Sequence, residues 1–344
     1  MPNIMITKRC NLSCPYCFAN QYVTRASTEC DMPLERFQEI LDFVLRDGSV
    51  RSIGLIGGEP TCHQSFDEFL ELLLEERRLD RVTIYTNGVR LAEHLDLMMQ
   101  EKFFVLINCN SPEQMGIGYP KLLALLSELR GSEWKCHVTL GVNFYDSDFD
   151  MSYVLELVEL FKPEMLRVSI CVPNSGTKEP FEYFEEMKPP ILAFFKELLV
   201  RGTIPFFDCN IFPACVISVQ EMREFERWGE KNPFLRLKTE PLGCLPVIDI
   251  MDDFTAIRCF GLSDATRVSI RDFASITDLR NYYLRTVDAY AANTFYASQC
   301  AECYKFKTMK CAGGCLIYKM GQIQANRKLV EEQNEKILHY KLYR

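Results

Sequence analysis

The fold of this chain is decided by the stretch Lys8-Arg9-Cys10-Asn11-Leu12-Ser13-Cys14-Pro15-Tyr16-Cys17-Phe18. It carries three cysteines in the spacing CxxxCxxC, directly after an apolar run at residues 3–7 that predicts a first β-strand. Three thiolates can hold three irons of an iron–sulfur cubane and leave the fourth iron free for another ligand. Three close cysteines are also compatible with a structural zinc site whose fourth ligand lies elsewhere. The spacing alone leaves both kinds of metal site open.

Composition limits the class of protein. The 344 residues are 48% hydrophobic and 25% charged, which is typical of a globular chain able to bury a large core. A net charge of −8 gives no sign of the basic face that nucleic-acid binding needs. No apolar run approaches the roughly 20 residues of a membrane span, and the first residues lack a signal-peptide pattern. We therefore expect a cytoplasmic protein without nucleic-acid or membrane partners.

Cysteine is unusually frequent, with 16 residues. Without a secretion signal, metal ligation or catalysis is a better explanation than a disulfide framework. Five cysteines lie singly, mostly among apolar neighbours, and we expect them to be small buried hydrophobic residues: Cys30, Cys62, Cys109, Cys136 and Cys171. The other eleven cluster near the start and in the last third or so of the chain, which favours metal sites there.

Up to about residue 208, short apolar runs alternate with amphipathic segments. The predicted strands are 3–7, 52–56, 81–86, 103–108, 137–143, 166–171 and 204–208. The predicted helices are 34–46, 66–74, 91–99, 121–129, 152–161 and 183–200. This alternation predicts an α/β fold, a partial (β/α)6 TIM-like barrel with its chemistry at the carboxyl ends of the strands.

The pattern changes after Asp208, where the segments become shorter and Cys, Pro and Gly more frequent. We predict a barrel at 1–208, a small cysteine-rich cluster-binding domain at 209–325 and a closing helix at 326–344. A hairpin is expected from Pro246–Ile250 and Thr255–Cys259.

Short polar and glycine-rich elements recur where predicted strands end. Gly57-Gly58-Glu59-Pro60-Thr61 follows the second strand, and Thr86-Asn87-Gly88 ends the third. Asn108 and Asn110 stand at the end of the fourth, and Ser169 lies in the sixth. A lone Gly-Gly or Asn-Gly is usually a turn. Their recurrence at successive strand ends indicates one shared pocket.

Together with CxxxCxxC and its aromatic Tyr16, these elements resemble the radical S-adenosylmethionine (SAM) superfamily over roughly the first 200 residues. The resemblance implies that Cys10, Cys14 and Cys17 hold a [4Fe–4S] cluster whose fourth iron binds SAM. An electron from the cluster, delivered by a donor such as flavodoxin or ferredoxin, then cleaves SAM to a 5′-deoxyadenosyl radical that removes a substrate hydrogen. The implied SAM-binding residues are Tyr16, Gly57, Gly58, Glu59, Pro60, Thr86, Asn87, Asn108, Asn110 and Ser169.

Eight further cysteines lie between residues 209 and 315, and their compact part is CxxC followed by CxxxC. This group resembles the SPASM extension of radical SAM enzymes, which holds auxiliary [4Fe–4S] clusters and has two cysteines about 15 residues apart. By that resemblance, one set of ligands is Cys244, Cys259 and Cys315 with Cys209 or Cys215. The other set is Cys300, Cys303 and Cys311.

The chain departs from that pattern in three ways. Phe254 replaces the usual glycine, the spacing from Cys303 to Cys311 is wider, and no cysteine follows Cys315. Two possibilities therefore stay open: a single auxiliary cluster, as in the shorter twitch-type extension, or two auxiliary clusters. A four-cysteine zinc site at Cys300, Cys303, Cys311 and Cys315 is an alternative, although it leaves Cys244 and Cys259 unexplained.

Three residues are candidates for catalysis beyond the cluster. In some SPASM enzymes, an acidic residue directly after the cysteine matching Cys259 acts as a base, but this position is Phe260 here. Asp208, at a predicted strand end, is therefore the candidate base. A cysteine that does not ligate metal, Cys209 or Cys215, could instead donate a hydrogen atom, which would suit epimerisation.

The leading functional hypothesis is an enzyme that modifies a ribosomally made peptide by a thioether, a carbon–carbon crosslink or an epimerisation. Since the first strand begins at Asn3, we expect leader-peptide recognition by a separate protein or by another surface of this chain. A radical dehydrogenase, epimerase or decarboxylase of a small molecule is the alternative. A non-catalytic iron–sulfur or zinc protein is the third hypothesis.

Overall fold

The apolar runs of the first half of the chain form parallel strands, as the sequence predicts. In a computed structural model they are β1 Asn3–Thr7, β2 Ser52–Gly57, β3 Arg81–Thr86, β4 Phe103–Asn108, β5 Val138–Phe144, β6 Met165–Ile170 and β7 Ile204–Phe207. The structure describes residues 1–17, 19–20, 22–23, 30–171, 180–207, 212, 215–221, 223–224, 246–292, 294–295, 297–309 and 311–319. The predicted residues Asp208, Cys209 and Cys244 and the closing helix 326–344 lie outside these ranges.

Helices connect the strands and cover the sheet. They are α1 Leu34–Leu45, α2 Phe66–Glu75, α3 Leu95–Met98, α4 Pro112–Met115, α5 Gly118–Leu129, α6 Ser152–Phe161 and α7 Pro180–Val200. Short 3-10 segments lie at Pro60–Cys62, Leu91–His94 and Glu133–His137. In α1, Phe37, Ile40 and Val44 recur at helical spacing and are fully or almost fully buried, so this face packs on the core.

The cysteine-rich part has shorter elements. Its strands are β8 Asp249–Ile250, β9 Thr255–Ile257 and β10 Val268–Ser269. Its helices are α8 Ile276–Tyr283, which continues through a π-helical turn at Leu284–Asp288 into α9 Ala289–Ala291, and α10 Tyr304–Lys307. Short 3-10 segments lie at Phe260–Thr266, Ile270–Asp272 and Ser298–Glu302.

One open sheet contains all ten strands of the described residues, in the order β10-β9-β8-β1-β2-β3-β4-β5-β6-β7. Neighbours from β1 to β7 are parallel, which confirms the α/β fold class and its partial TIM-like barrel. The predicted hairpin is also present, since β8 pairs antiparallel with β9. The sequence did not predict that β8 would also pair parallel with β1 and so extend the barrel sheet.

The junction between β1 and β8 is polar and buried. The amide of Asn3 donates to Asp249 Oδ1 at 2.7 Å, and burial raises the pKa of Asp249 to about 7. On the next loop, Lys8 forms an ion pair with Asp252 at 2.7 Å, and Arg36 donates to the Asp252 carbonyl at 3.0 Å. These contacts tie the cysteine-rich part to the first strand and to α1.

The isolated cysteines differ in exposure. Cys109 is buried, whereas Cys30, Cys62 and Cys171 are half-buried. The expectation of burial is wrong for Cys136, which is exposed because it lies in the 3-10 segment before β5 rather than inside the strand. In the part of the chain that the structure describes, no helix has the length and apolar character needed to cross a membrane.

Candidate active site

The three motif cysteines lie on the loop that follows β1, at the edge where the parallel strands end. Two backbone hydrogen bonds join this loop to the segment after β2: Gly58 N–H donates to Thr7 O at 2.9 Å, and Glu59 N–H donates to Arg9 O at 2.7 Å. The cysteine loop and the Gly-Gly-Glu-Pro segment are therefore one packed unit, as their positions at neighbouring strand ends predict.

Glycine is required at positions 57 and 58 by this close approach. A Cβ atom on Gly58 would overlap the Arg9 carbonyl and lie 2.9 Å from Cys10 Cβ. A Cβ atom on Gly57 would lie 2.8 Å from Thr7 O. Since real side chains do not tolerate such distances to backbone, any larger residue would displace the loop that carries Cys10.

Glu59 links the ends of β2 and β3 from inside the protein. Its side chain is buried, and its carboxylate accepts hydrogen bonds from Thr61 Oγ1 at 2.7 Å, Thr86 Oγ1 at 2.6 Å and Asn87 N–H at 2.7 Å. Burial raises the pKa of Glu59, and these donors oppose that rise. The amide of Asn87 continues the chain of contacts, donating to Asn11 Oδ1 in the cysteine loop at 2.7 Å.

Asp31 supports the loop from the side of β1 and was not predicted from the sequence. It accepts from Thr7 Oγ1 at 2.5 Å and from two guanidinium nitrogens of Arg9 at 3.0 and 2.6 Å. Arg9 also donates to the Cys62 carbonyl. Burial opposes ionisation of Asp31, but the bonds from Thr7 and Arg9 outweigh it and lower its pKa. Arg9 is therefore fixed in place beside Cys10.

Asn110 holds the other side of the loop. Its Oδ1 accepts from the Tyr16 hydroxyl and from Cys14 Sγ, the latter at 3.1 Å, and its Nδ2 donates to Asn108 O at 2.9 Å. The Tyr16 ring stacks on Tyr145 with centroids 5.2 Å apart. The predicted residues Tyr16, Asn108 and Asn110 thus meet at the cysteine loop.

Asn143 is a further polar residue of this edge that the sequence analysis missed. It lies in β5, where its Nδ2 donates to Asn108 Oδ1 at 3.4 Å and its Oδ1 accepts from Arg167 at 2.9 Å. It is paired across the sheet with the buried Ser169 of β6. A polar residue at the end of a predicted strand was the available signal, since the same signal identified Asn108.

The donor set fits an iron–sulfur cluster. Cys10, Cys14 and Cys17 are half-buried on a single loop, and burial raises the pKa of Cys10 to about 12 and that of Cys14 to about 11. Thiolates in such a place need a cationic partner, and the iron–sulfur core of a cluster supplies one. The glycine cradle under Cys10 and the Cys14–Asn110 contact hold two of the three thiols before any cluster binds.

Comparison with known sequences decides the family. Residues 4–153 match the Radical SAM superfamily. These residues form a radical SAM domain. The matched range includes the cysteine loop, Gly57-Gly58-Glu59-Pro60 and Thr86-Asn87, which confirms the recognition made from the motifs. The cofactors of a radical SAM domain are a [4Fe–4S] cluster and SAM.

Two curated relatives show how far the sequence likeness extends. The S-adenosylmethionine-dependent nucleotide dehydratase of Selenomonas ruminantium is 22% identical over 197 residues, which is 52% of this chain and 69% of that protein. The GTP 3′,8-cyclase of Desulforamulus reducens is 32% identical over 90 residues, 26% of this chain. This chain therefore spans only 27% of the length of that cyclase.

Solved structures match nearly the whole chain. SuiB of Streptococcus suis bound to S-adenosylmethionine has a TM-score of 0.62 and 16% identity, covering 92% of this chain and 72% of SuiB. The enzyme anSMEcpe with bound AdoMet and a peptide has a TM-score of 0.61 and 16% identity, covering 96% of this chain and 99% of anSMEcpe. At these identities the likeness establishes the fold, including that of the part after the radical SAM domain.

Two sets of contacts describe the surroundings of the cysteines after the radical SAM domain. Cys300 is buried in a small apolar cluster with Ala297, Phe295 and Tyr318. Near Cys259 and Cys315, a Cβ on Gly261 would overlap the side chain of Ile317, so the two segments are in contact. Among the described residues, no three His, Cys, Asp or Glu side chains are arranged to hold a single metal ion.

Proposed function

We propose that this chain is a radical SAM enzyme that modifies a peptide. One observation carries the proposal: the structural likeness extends over 96% of this chain and 99% of anSMEcpe, which was solved with AdoMet and a peptide. SuiB, solved with its precursor peptide SuiA, supports it with a TM-score of 0.60 and 92% coverage of this chain. The part after the radical SAM domain, where substrate-specific features are expected, is thus included in the likeness.

In this proposal, Cys10, Cys14 and Cys17 hold the [4Fe–4S] cluster. With SAM bound, the cluster supplies the electron that cleaves SAM to a 5′-deoxyadenosyl radical, which takes a hydrogen atom from the substrate. The backbone of Gly58 lies directly beside Cys10, and that of Gly57 lies beside Thr7, so this glycine segment can approach SAM closely. The polar residues at the following strand ends complete the SAM pocket, which contains Glu59, Pro60, Thr86, Asn87, Asn108, Asn110 and Ser169.

Glu59 is a positioning residue in this scheme. Its carboxylate is held by donors from Thr61, Thr86 and Asn87, so it fixes two strand ends relative to each other. Asn110 has a matching role on the opposite side, because it binds both Tyr16 and Cys14. The geometry of the pocket therefore depends on two buried groups that join neighbouring strands, the carboxylate of Glu59 and the side-chain amide of Asn110.

The product we propose is a thioether, a carbon–carbon crosslink or an epimerised residue. Asp208 as a base and Cys209 or Cys215 as hydrogen-atom donors remain candidates, and of these three only Cys215 lies within the described residues. A separate leader-peptide recognition protein and an electron donor such as flavodoxin or ferredoxin are the proposed partners.

The test is anaerobic turnover with SAM, a strong reductant and peptides encoded beside the gene. We expect 5′-deoxyadenosine together with a peptide that has lost two hydrogens, or that gains deuterium from heavy water without other mass change. The Cys14→Ala variant should abolish both products, whereas Cys136→Ala, at an exposed cysteine outside the motifs, should keep them. SAM cleavage with every peptide left unchanged would contradict the peptide proposal while leaving the radical SAM assignment intact.

A nucleotide or another small molecule is the second candidate substrate. It is favoured by the sequence match to the nucleotide dehydratase, which covers 69% of that relative. The same assay distinguishes the two, because a nucleotide substrate should raise 5′-deoxyadenosine formation above the level seen with SAM alone, and the peptides should not.

A further inference from the structure

The loop that carries the three motif cysteines leaves the sheet after β1 and returns to the same place. Three backbone contacts join the outgoing and the returning segment: Lys8 N–H to Cys30 O at 3.0 Å, Met32 N–H to Ile6 O at 2.8 Å, and an antiparallel bridge between Thr7 and Asp31. We call residues 6–9 and 30–32 the neck of the cysteine loop. All three motif cysteines lie in the part of the chain that the neck closes.

The neck contains an ion pair between Arg9 and Asp31, whose side chains are only 20% and 10% exposed. The guanidinium donates from Nε to one carboxylate oxygen at 3.0 Å and from Nη2 to the other at 2.6 Å, so the contact is bidentate. Thr7 Oγ1 donates to Asp31 at 2.5 Å and accepts from Arg9 N–H at 3.0 Å. The ion pair is therefore fixed to the last residue of β1.

The same two side chains hold the segment 57–64, which contains the glycines beside the cysteine loop. Arg9 Nη2 donates to Cys62 O, and Asp31 Oδ2 accepts from Gln64 N–H at 3.1 Å. The backbone carbonyl of Arg9 accepts from Glu59 N–H at 2.7 Å. One ion pair thus joins the start of the cysteine loop, its returning end and the segment that we propose binds SAM.

Closure of this loop by the protein has an energetic consequence. Arg9 and Asp31 are 22 residues apart in sequence, and ordering a loop of that length costs conformational entropy. A cluster that binds three thiols of the loop needs them in fixed positions. If the neck is already closed, less ordering is left for the binding step, so the cluster is held more tightly.

A second ion pair in this chain has the same geometry without the burial. Arg51 donates to Asp80 from Nε at 2.5 Å and from Nη2 at 2.6 Å, but these side chains are 60% and 62% exposed. The two residues directly precede β2 and β3, so they lie at the opposite edge of the sheet from the cysteine loop. Exposed pairs contribute little to stability, which makes this pair a matched control.

We propose that Arg9 and Asp31 are positioning residues of the SAM-binding cluster. Their ion pair closes the neck before the cluster binds and holds the cysteine loop in register with segment 57–64. The inference rests on the proposed function in one respect, the cluster on Cys10, Cys14 and Cys17. It does not depend on which substrate the enzyme modifies.

The first test asks whether the neck is closed without a cluster. It compares hydrogen exchange in the wild-type chain before and after reconstitution with iron and sulfide. We expect the amides of Lys8, Met32 and Gln64 to be protected at least about tenfold in the apoprotein, as in the loaded protein. Unprotected exchange of these amides in the apoprotein, with protection only after loading, would overturn the proposal.

The second test uses the charges of the pair, because net charge near an iron–sulfur cluster sets its reduction potential. Asp31→Asn leaves the Arg9 cation uncompensated and should raise the potential, since reduction adds a negative charge to the cluster. Arg9→Gln leaves the carboxylate and should lower it, and the double variant should lie near the wild type. General damage to the fold would not shift the potential in two opposite directions.

The potential is followed on the signal in electron paramagnetic resonance that changes when SAM is added, which distinguishes this cluster from any other. Arg51→Gln and Asp80→Asn should leave that potential unchanged. Shifts of the same sign in Asp31→Asn and Arg9→Gln, or no shift in either, would contradict the proposal. Loss of this cluster from a neck variant that keeps its far-UV circular dichroism would support it.

Arg9→Lys separates charge from geometry, because lysine keeps the cation but cannot donate in a bidentate fork. We expect a potential near that of the wild type, together with release of iron from this cluster to a chelator about tenfold faster. Arg51→Lys should release iron at the wild-type rate. Wild-type release from Arg9→Lys would show that the fork does not hold the loop.

These readouts separate this inference from the proposed function. A wild-type chain that binds no cluster on the three motif cysteines would contradict the proposed function, and the exchange test on the apoprotein would still decide whether the neck is closed. A loaded wild type whose neck variants behave like the Arg51 and Asp80 variants would contradict this inference alone. If a neck variant does not fold, the exchange test decides, since it needs only the wild-type chain.

Discussion

At the scale of single residues, the site depends on groups that allow close approach and on groups that hold strand ends together. The glycines were predictable, because Gly57-Gly58 at a strand end is a visible signal. Asp31 was not, because it acts on Thr7 and Arg9 across 24 and 22 residues of sequence. Such contacts exist only once the strands are assembled, so local pattern cannot reveal them.

The close packing of Gly58 against the cysteine loop predicts the effect of one added methyl group. We expect Gly58→Ala to displace the loop that carries Cys10, because the new Cβ would meet the Arg9 backbone and Cys10. The variant should fold but hold about four fewer irons per chain after reconstitution. Gly131→Ala is the matched control, since its Cβ would have no neighbour within 4 Å. Full iron content in Gly58→Ala would show that the loop is not packed as described.

Buried Asp249 predicts a pH dependence of stability. Its pKa is about 7 in the folded chain, raised by burial from 3.8. Between roughly pH 4 and 7 the folded state therefore holds a proton that the unfolded state has lost, so this stabilising contribution is complete below pH 4 and is lost as the pH rises through 7. The slope in that window is at most about 1.4 kcal/mol per pH unit.

The measurement is the apparent melting temperature of the wild type and of Asp249→Asn from pH 5 to 8.5. The wild type should lose stability from pH 5 to about pH 7 and level off above it, and the variant, which keeps the acceptor for Asn3 without the charge, should lose less. Parallel curves for the two proteins would rule out a titrating Asp249.

At the scale of elements, the barrel strands were predicted to within one residue at the described ends because each is a short apolar run bounded by polar residues. The later strands are a harder case. Strand β10 contains two residues, which is too short for a period-2 pattern to be read, and two-residue β8 was predicted only as part of the longer run 246–250. Their order in the sheet is set by pairing with β1 and β9, which is tertiary information.

The β8–β9 turn explains one departure from the SPASM pattern. Phe254 stands where glycine is usual, and it adopts the left-handed conformation, with φ of 61°. Its ring lies beneath the Arg271 guanidinium at 3.9 Å and near that of Arg36 at 5.8 Å. The turn therefore keeps the backbone that favours glycine, while two cation–π contacts give the side chain a role.

This conformation predicts an unusual order of stability. Phe254→Gly should be more stable than Phe254→Ala by about 1 kcal/mol, because only alanine has a Cβ that crowds a left-handed backbone. At exposed Glu68, in α2, the Glu68→Ala variant should instead be more stable than Glu68→Gly by about 1 kcal/mol. Apparent unfolding free energies of equally reconstituted proteins provide the comparison. If alanine is preferred at both positions, residue 254 is not left-handed in solution.

At the scale of the whole molecule, the cysteine-rich part is joined to the barrel by the sheet itself. Strand β1 pairs with β2 on one side and with β8 on the other. Ion pairing of Lys8 with Asp252 and the buried Asn3–Asp249 contact reinforce this junction. The cysteine loop begins directly after β1, so the support of the cluster and the attachment of the cysteine-rich part use the same strand.

This shared strand predicts that the barrel does not stand alone. In a fragment of residues 1–207, the edge of β1 that pairs with β8 would be exposed, and Asn3 would lose its buried partner Asp249. An unpaired edge strand promotes aggregation. We expect this fragment to be largely insoluble or to unfold without cooperativity, and co-expression of residues 212–344 to restore a soluble complex that binds iron. Size-exclusion chromatography and thermal unfolding measure both outcomes. A monomeric 1–207 fragment with cooperative unfolding and about four irons per chain would instead show that β8 adds to a barrel that is already complete.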